Sequence, residues 1–385
     1  MEELLTLRQE NSKTYDVGSG KRQLVVSIGA IHYKDNYADK SEQWKDIDLT
    51  WEGNRITKAP YELTLDGKKI TVKDKKSGEV STIELLSIFP PGVMFEIVPE
   101  YTRVSFRHIL LSDKIPFEAK FKITGKGLIT TKAFDDEGEL ELETERVDGV
   151  LTEKLSKVID KETHKERPAK GNIRIDPTWQ VGASSDDASR RLNPDYWSLI
   201  WPGIIAGHQD PGAGYLYGGG MRFTNITIPQ GATVSTAYLT LRANFSMSTT
   251  VVNTRISAED VDDAPTFADN AAAYDARWAA RTTARVDWDS IPAWTVDNDY
   301  NSPSIVTVIQ EIVSRALWAS GNNIVIFWED YEERSTQSAD VYRQAYSYDG
   351  STTYAPKLVV TYTVLVGLEN KSANMGSKMV GAGLI

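Results

Sequence analysis

The densest group of side chains capable of acid–base chemistry is Glu329-Asp330-Tyr331-Glu332-Glu333. Two carboxyl groups flanking one bond are what glycoside cleavage requires, one as acid and the other as base or nucleophile. Here they directly follow the apolar run Asn323 to Trp328, so they collect at a strand end. Sequence shows neither their separation nor a raised pKa, and charge runs of this kind are most often solvated turns. No catalytic residue is assigned, and the chain reads as non-enzymatic. A second acidic run, Glu259-Asp260-Val261-Asp262-Asp263, supplies hard oxygen ligands, and Asp260, Asp262 and Asp263 are its candidate calcium ligands. It lacks the alternating acidic loop with a distant Glu that calcium-binding hands use, so the reading is a solvated loop with no metal. His32, His108, His164 and His208 are scattered without metal-ligand spacing. Gly218-Gly219-Gly220 has no Lys-Ser/Thr after it and is no phosphate loop; it reads as a tight turn before a strand at Met221. The best ligand candidates are aromatic. Tyr196, Trp197 and Trp201 lie between Pro and Gly residues, and flat, half-wet rings stack on sugars.

Composition narrows the field. The 385 residues are 41% hydrophobic, 25% charged and 10% aromatic, ordinary for a globular protein and long enough for two or three domains. A net charge of -11 argues against a nucleic-acid partner. Absence of cysteine removes disulfides, thiolate nucleophiles and Cys-based zinc sites. No stretch reaches the ~18 apolar residues of a membrane-spanning helix, and the first residues lack the apolar core of a signal peptide. No cofactor is implied. Of the 24 lysines, 21 fall in residues 1 to 176, and eight of the ten tryptophans lie at or beyond Trp179. Such a shift marks two modules.

The elements that must position these groups are mainly β. Residues 1–150 read as an N-terminal antiparallel β-sandwich or barrel, with short strands at near-regular spacing and an Asp66-Gly67 hairpin turn. Residues 151–176 are rich in Lys, Glu and Thr and read as a charged linker or hairpin. Residues 177–364 read as a jelly-roll-like sandwich with one packed amphipathic helix. Its organising stretch is Ser302 to Asp330: Ser302 as N-cap, Pro303 at the first helical position, and an apolar stripe of Ile305, Val308, Ile309, Ile312, Val313 and Ala316. The strand after this helix is apolar on both faces, and the helix can cover it. Trp288, Trp294, Trp318 and Trp328 flank this unit and read as core. A separate short helix is expected between Ala268 and Ala280. Residues 365–385, rich in small side chains, read as an extended C-terminal assembly arm.

The second module resembles the DNRLRE-type domain, a jelly-roll sandwich of secreted and cell-surface proteins often grouped with carbohydrate-binding modules. The resemblance is carried by Ile228-Pro229-Gln230-Gly231-Ala232-Thr233-Val234, Ala237-Tyr238-Leu239-Thr240-Leu241, Ser290-Ile291-Pro292-Ala293-Trp294, Ile309-Gln310-Glu311-Ile312-Val313 and Ala355-Pro356-Lys357-Leu358-Val359-Val360, over about half the chain. The first 50 residues resemble the segment preceding such domains in cell-wall proteins, through Arg8 to Tyr15, Ile31 to Asp35 and Trp44 to Asp48. A surface-type module without an export signal implies a bacteriophage virion protein, made in the host cytoplasm and extracellular after lysis. The expected role is structural: a capsid decoration, head-fibre or tail-associated protein, homo-oligomeric, with other virion proteins and copies of itself as partners. The alternative is a carbohydrate-binding adhesin for host-surface glycan.

Overall fold

The computed structural model describes every residue except 112–114, 126–127, 136–138, 162–163, 176–177, 181–185, 194, 210–213, 249–250, 337, 339 and 364–385, together with the side chains of 128–130, 178–180 and 209. The C-terminal assembly arm expected at 365–385 therefore lies outside the described residues. The chain is mainly β, 48% strand against 6% helix, and its sheets are antiparallel. It divides into two compact units, one made of Met1–Ile28 with Ser184–Ile385 and the other of Gly29–Ala183.

This division corrects the boundaries read from sequence in two places. Lys21–Ser27 pairs residue for residue with Lys357–Thr363, Leu24 opposite Val360 and Val26 opposite Leu358, so the first strands belong to the later module. Local pattern marks a strand but carries no information about a partner more than 300 residues away. The expected linker 151–176 is also built into sheets. Val150–Leu155 pairs with Phe117–Thr124, and Ile173–Ile175 pairs with Arg103–Leu110. Its polar composition fits strands that bury only alternate side chains, as Val150–Leu155 and Ile173–Ile175 do.

The Gly29–Ala183 unit packs two seven-stranded sheets around one core that includes Tyr61, Phe106, Phe117 and Phe121. The other unit is a β-sandwich. Its six-stranded sheet runs Glu2–Glu3, Ser12–Gly18, Lys21–Ser27, Lys357–Thr363, Thr233–Arg242, Asp299–Asn301. Facing it is an eight-stranded sheet centred on Tyr215–Phe223 and Ile324–Glu329. Between them Leu24, Leu239 and Val360 meet Phe223, Ile326 and Trp328.

Two helices serve this sandwich, the packed amphipathic helix and the separate short helix both expected. The first, α1 (Ala271–Ala279), falls where an Ala-rich helix was predicted and is capped by Asn270, whose side chain accepts from Ala273 N at 3.0 Å. The second, α2 (Val306–Val313), buries Val308, Ile309, Ile312 and Val313 in the main core. It begins later than the Ser302 cap predicted. The Ser302 hydroxyl instead accepts from Leu239 N at 3.0 Å, and Ile305 N donates to Ala237 O at 2.8 Å, so 302–305 continue along the sheet edge before the helix starts. Ile305 is buried as expected, whereas Ala316 lies beyond the helix end and is exposed.

Ile324–Glu329 is buried on both faces, as its composition required. Ile324, Ile326 and Trp328 enter the core shared with α2, while Val325 and Phe327 enter a smaller outer core with Phe267 and Tyr274 of α1. Each helix thus covers one face. The sequence segments that carried the family resemblance meet here too. Gln310 accepts from Val234 N at 2.9 Å and donates to Ala232 O at 3.0 Å, clasping the Ile228–Val234 turn. Glu311 accepts from Thr283 N and Ala284 N at 2.8 and 2.7 Å. Neither described helix is long and apolar enough to cross a membrane.

Candidate functional site

Gly218, Gly219 and Gly220 are not a turn but the middle of the strand Tyr215–Phe223. A strand interior normally disfavours glycine, which marks a close approach. A Cβ on Gly218 would lie 2.4 Å from Glu329 Cβ and 2.6 Å from the Tyr331 ring, and one on Gly220 would lie 2.6 Å from Phe267. The run lets an aromatic layer settle directly on the sheet backbone.

At the open end of this strand a row of side chains crosses the sheet in register. Tyr196 pairs with Arg191, Arg191 with Tyr217, Tyr217 with Gly207, and Gly207 with Tyr342. Neighbouring strands lie ~4.8 Å apart, so the row is roughly 19 Å long. Gly207 carries a φ of +128°, and a Cβ there would strike Val341 O at 2.4 Å, so glycine is required at that place. Arg191 is only 6% exposed, and its guanidinium carbon lies 4.7 Å from the Tyr215 ring centre, 5.2 Å from Tyr196 and 6.0 Å from Tyr217. Cation–π attraction holds such a charge out of water. Trp201 meets Tyr196 edge-on at 5.8 Å. Around the buried Arg191–Tyr217 centre, Tyr196, Trp201, Tyr215 and Tyr342 are half-buried and form an aromatic rim. Burial raises the Tyr342 phenol, which stays neutral and keeps its proton to donate.

The three aromatic residues nominated from sequence are therefore split. Tyr196 and Trp201 share the rim. Trp197, the next residue of the short strand Tyr196–Ser198, turns to the other face. There it lies 5.2 Å from Tyr274, donates from its indole N–H to Asp269 at 3.0 Å, and packs on the outer core. Arg191, Tyr215, Tyr217 and Tyr342 were not singled out from sequence. Tyr215 and Tyr217 at i and i+2 beside a glycine run was the available signal.

The carboxylate run after Trp328 is also divided. Glu329 and Asp330 are fully buried, on opposite sides of the backbone. Asp330 accepts from Arg334 N at 2.6 Å and Ser335 N at 3.0 Å, closing the turn. Glu329 accepts from Tyr331 N at 2.7 Å, and burial pushes its carboxyl up to about 7. Glu332 is exposed and pairs with Arg255, Arg281 and Arg285. These groups hold the strand end together and do not converge on one opening.

Asp260 and Asp262, the candidate calcium ligands, both pair with Arg315, Asp262 at 2.9 Å. Asp263 accepts from Asn323 N at 2.9 Å and Asn323 Nδ2 at 2.6 Å. The acidic loop thus grips the α2-to-strand connection. Among the described residues no three metal-ligating side chains gather. Of the histidines, His32, His108 and His208 are buried in strands, and His164 is exposed beside Glu141.

One further carboxyl stands out on the strand that carries Arg191. Asp187 is buried, with Tyr348 N donating to Oδ2 at 2.5 Å. Burial, and then the negative charge of Asp349, hold it well above the usual carboxylate range. A folded-state pKa above the unfolded one favours folding in acid, and that contribution is lost as pH rises. Asp187→Asn is accordingly expected to gain stability relative to the parent between pH 5 and pH 8. Urea midpoints at the two pH values check this; an unchanged difference would contradict it.

No family model matches the chain, and no curated protein matches it. Among solved structures, an exo-beta-1,3-galactanase from Phanerochaete chrysosporium with galactose is 8% identical over 91% of this chain and 82% of that one, with a TM-score of 0.14. An alpha-xylosidase from Xanthomonas citri is 6% identical over 94% of this chain and 38% of its own, with a TM-score of 0.15. Both scores fall short of a shared fold.

Proposed function

We propose that this chain is a non-catalytic glycan-binding protein that holds sugar against the rim of Tyr196, Trp201, Tyr215 and Tyr342. The observation that carries the reading is the rim itself: half-buried Tyr196 and Tyr215 stack on a buried guanidinium, with Trp201 against Tyr196 and Tyr342 against Tyr217. Half-buried rings keep an accessible apolar face for sugar C–H groups while phenol hydroxyls donate to and accept from sugar hydroxyls. Arg191 holds Tyr196 and Tyr215 in place, so little ordering entropy opposes binding there. The scattered carboxylates Glu329, Asp330 and Glu332 support binding over cleavage, since none pairs with another across an opening. The resemblance to carbohydrate-binding surface modules points the same way.

The split between Trp201 and Trp197 gives the test. Trp201→Ala and Tyr196→Ala are expected to abolish glycan-array binding, at least tenfold, with near-parental thermal stability. Trp197→Ala, which strips the outer core, is expected to lower stability and keep affinity in the folded fraction. Equal loss of affinity in all three would remove the rim as the site. Placement on a bacteriophage particle is a separate reading, supported by the likeness to surface modules. Mass spectrometry of purified particles tests it: high copy supports the placement, and absence overturns it.

A further inference from the structure

We propose that ionisation of Glu329 loosens α1 from the outer face of the eight-stranded sheet, so that the helix is clamped in acid and releases the aromatic surface beneath it as pH rises.

The geometry places an acid where its charge has little support. Glu329 is 0% exposed at the end of Ile324–Glu329, roofed by Tyr331 and by Trp278 of α1, whose rings meet edge-on at 5.3 Å. Its Oε2 accepts from Tyr331 N and Oε1 makes no hydrogen bond of good geometry, and the partial support that Arg281 and the Trp278 indole N–H give its charge is outweighed by desolvation. Across the sheet stands Gly218, which offers no side chain. The cations nearby are shared with other carboxylates. Arg255, its neighbour on the next strand, pairs with Asp287 and Glu332. Arg281 stacks on Trp278 at 3.9 Å and pairs with Glu332, as does Arg285. On α1, Asp275 pairs with Arg190 at 2.8 Å, and Tyr274 hydroxyl lies 3.3 Å from Tyr331 hydroxyl. Tyr274 and Tyr331 are both pushed up by burial and stay neutral, so the carboxyl is the one group here that titrates near neutrality.

The helix is short: of its nine residues only Tyr274 is fully buried, and besides the Trp278–Tyr331 contact its ties include the Asp275–Arg190 pair and Arg277, which clamps Glu259 at 2.6 Å and stacks on Phe267. Elements with little apolar burial open at small free-energy cost. Opening returns Glu329 to water, where its pKa falls from about 7 to the ordinary 4.5. The closed form then binds one more proton than the open form between those values. Closure is favoured in acid, weakens as pH rises, and levels off above about 7.

Hydrogen exchange on the full chain from pH 4.5 to 8.5, corrected for the intrinsic pH dependence of exchange, reads this directly. Protection of residues 271–279 is expected to fall by up to about tenfold per pH unit and then to plateau. Residues 306–313 of α2 should show no such slope. Glu329→Gln keeps the shape, removes the proton, and should flatten the α1 profile; Glu329→Leu serves if the amide variant does not fold. Constant α1 protection in the parent, or a slope that survives in the variant, would overturn the proposal. Neither outcome bears on the glycan rim.

Discussion

Trp328→Ala should destabilise the sandwich unit by about 4 kcal/mol, within the ~3–5 kcal/mol typical of aromatic truncation in a core. Trp328 is 0% exposed and packs against Trp288 at 5.7 Å and Trp294 at 5.8 Å, the second nearly parallel at 24°. Its indole N–H donates to Thr254 Oγ1 at 2.8 Å. Truncation leaves a cavity that two rigid rings cannot fill, and it removes the N–H that the buried Thr254 hydroxyl accepts. Trp328→Phe refills most of the space and loses the hydrogen bond, so about 1–2 kcal/mol is expected. Chemical denaturation separates the two. A loss below about 1 kcal/mol for the alanine variant would mean that the core collapses onto the site, contrary to the packing described.

That this ring is core was legible from the sequence alone. Trp288, Trp294, Trp318 and Trp328 flank a segment apolar throughout, and all four are at most 6% exposed. Periodicity also located α2 and the strand after it, because both signals are local. What the sequence concealed was pairing at a distance. Ser302 looks like a cap until Leu239 N is seen to occupy its hydroxyl. Asp260 and Asp262 read as part of a solvated loop until Arg315 arrives from beyond α2 to pair with both. Adjacent Tyr196 and Trp197 look like one site, yet alternation along a strand sends them to opposite faces. The rim and the row beneath it span five strands, and no window of sequence contains them.

The second large effect is acid lability of the Gly29–Ala183 unit. His108 is 0% exposed inside a box of Phe89, Phe95, Phe117 and Phe121, with ring centres 4.8 to 5.5 Å away. Both of its ring nitrogens are buried without a hydrogen-bond partner. Glu153 Oε2 stands 3.9 Å from Nδ1, a distance at which an ion pair could form, but desolvation dominates and pushes the imidazole down to about 4. A folded-state pKa below the ordinary 6.5 means that the unfolded chain takes up the proton first. Stability conferred by the neutral ring is complete above 6.5 and drains as pH falls toward 4. The full span is worth about 3 kcal/mol. His108→Leu lacks this titration. The stability difference between parent and variant should therefore shift in favour of the variant by up to about 3 kcal/mol from pH 7 to pH 4. Denaturation midpoints of the unit at both pH values test this, and a pH-independent difference would refute it.

The pairing of Lys21–Ser27 with Lys357–Thr363 bears on how the protein is made. A ribosome delivers the first of these strands and then adds some 330 residues before its partner emerges, roughly 16–70 s of synthesis. Throughout that interval the edge of Lys21–Ser27 is an open template for other chains. The intervening Gly29–Ala183 unit, complete in itself, can fold during the wait. The last strand to leave the ribosome among those described is thus the one that closes the sandwich, and truncations ahead of it should yield a folded middle flanked by sticky, unpaired ends.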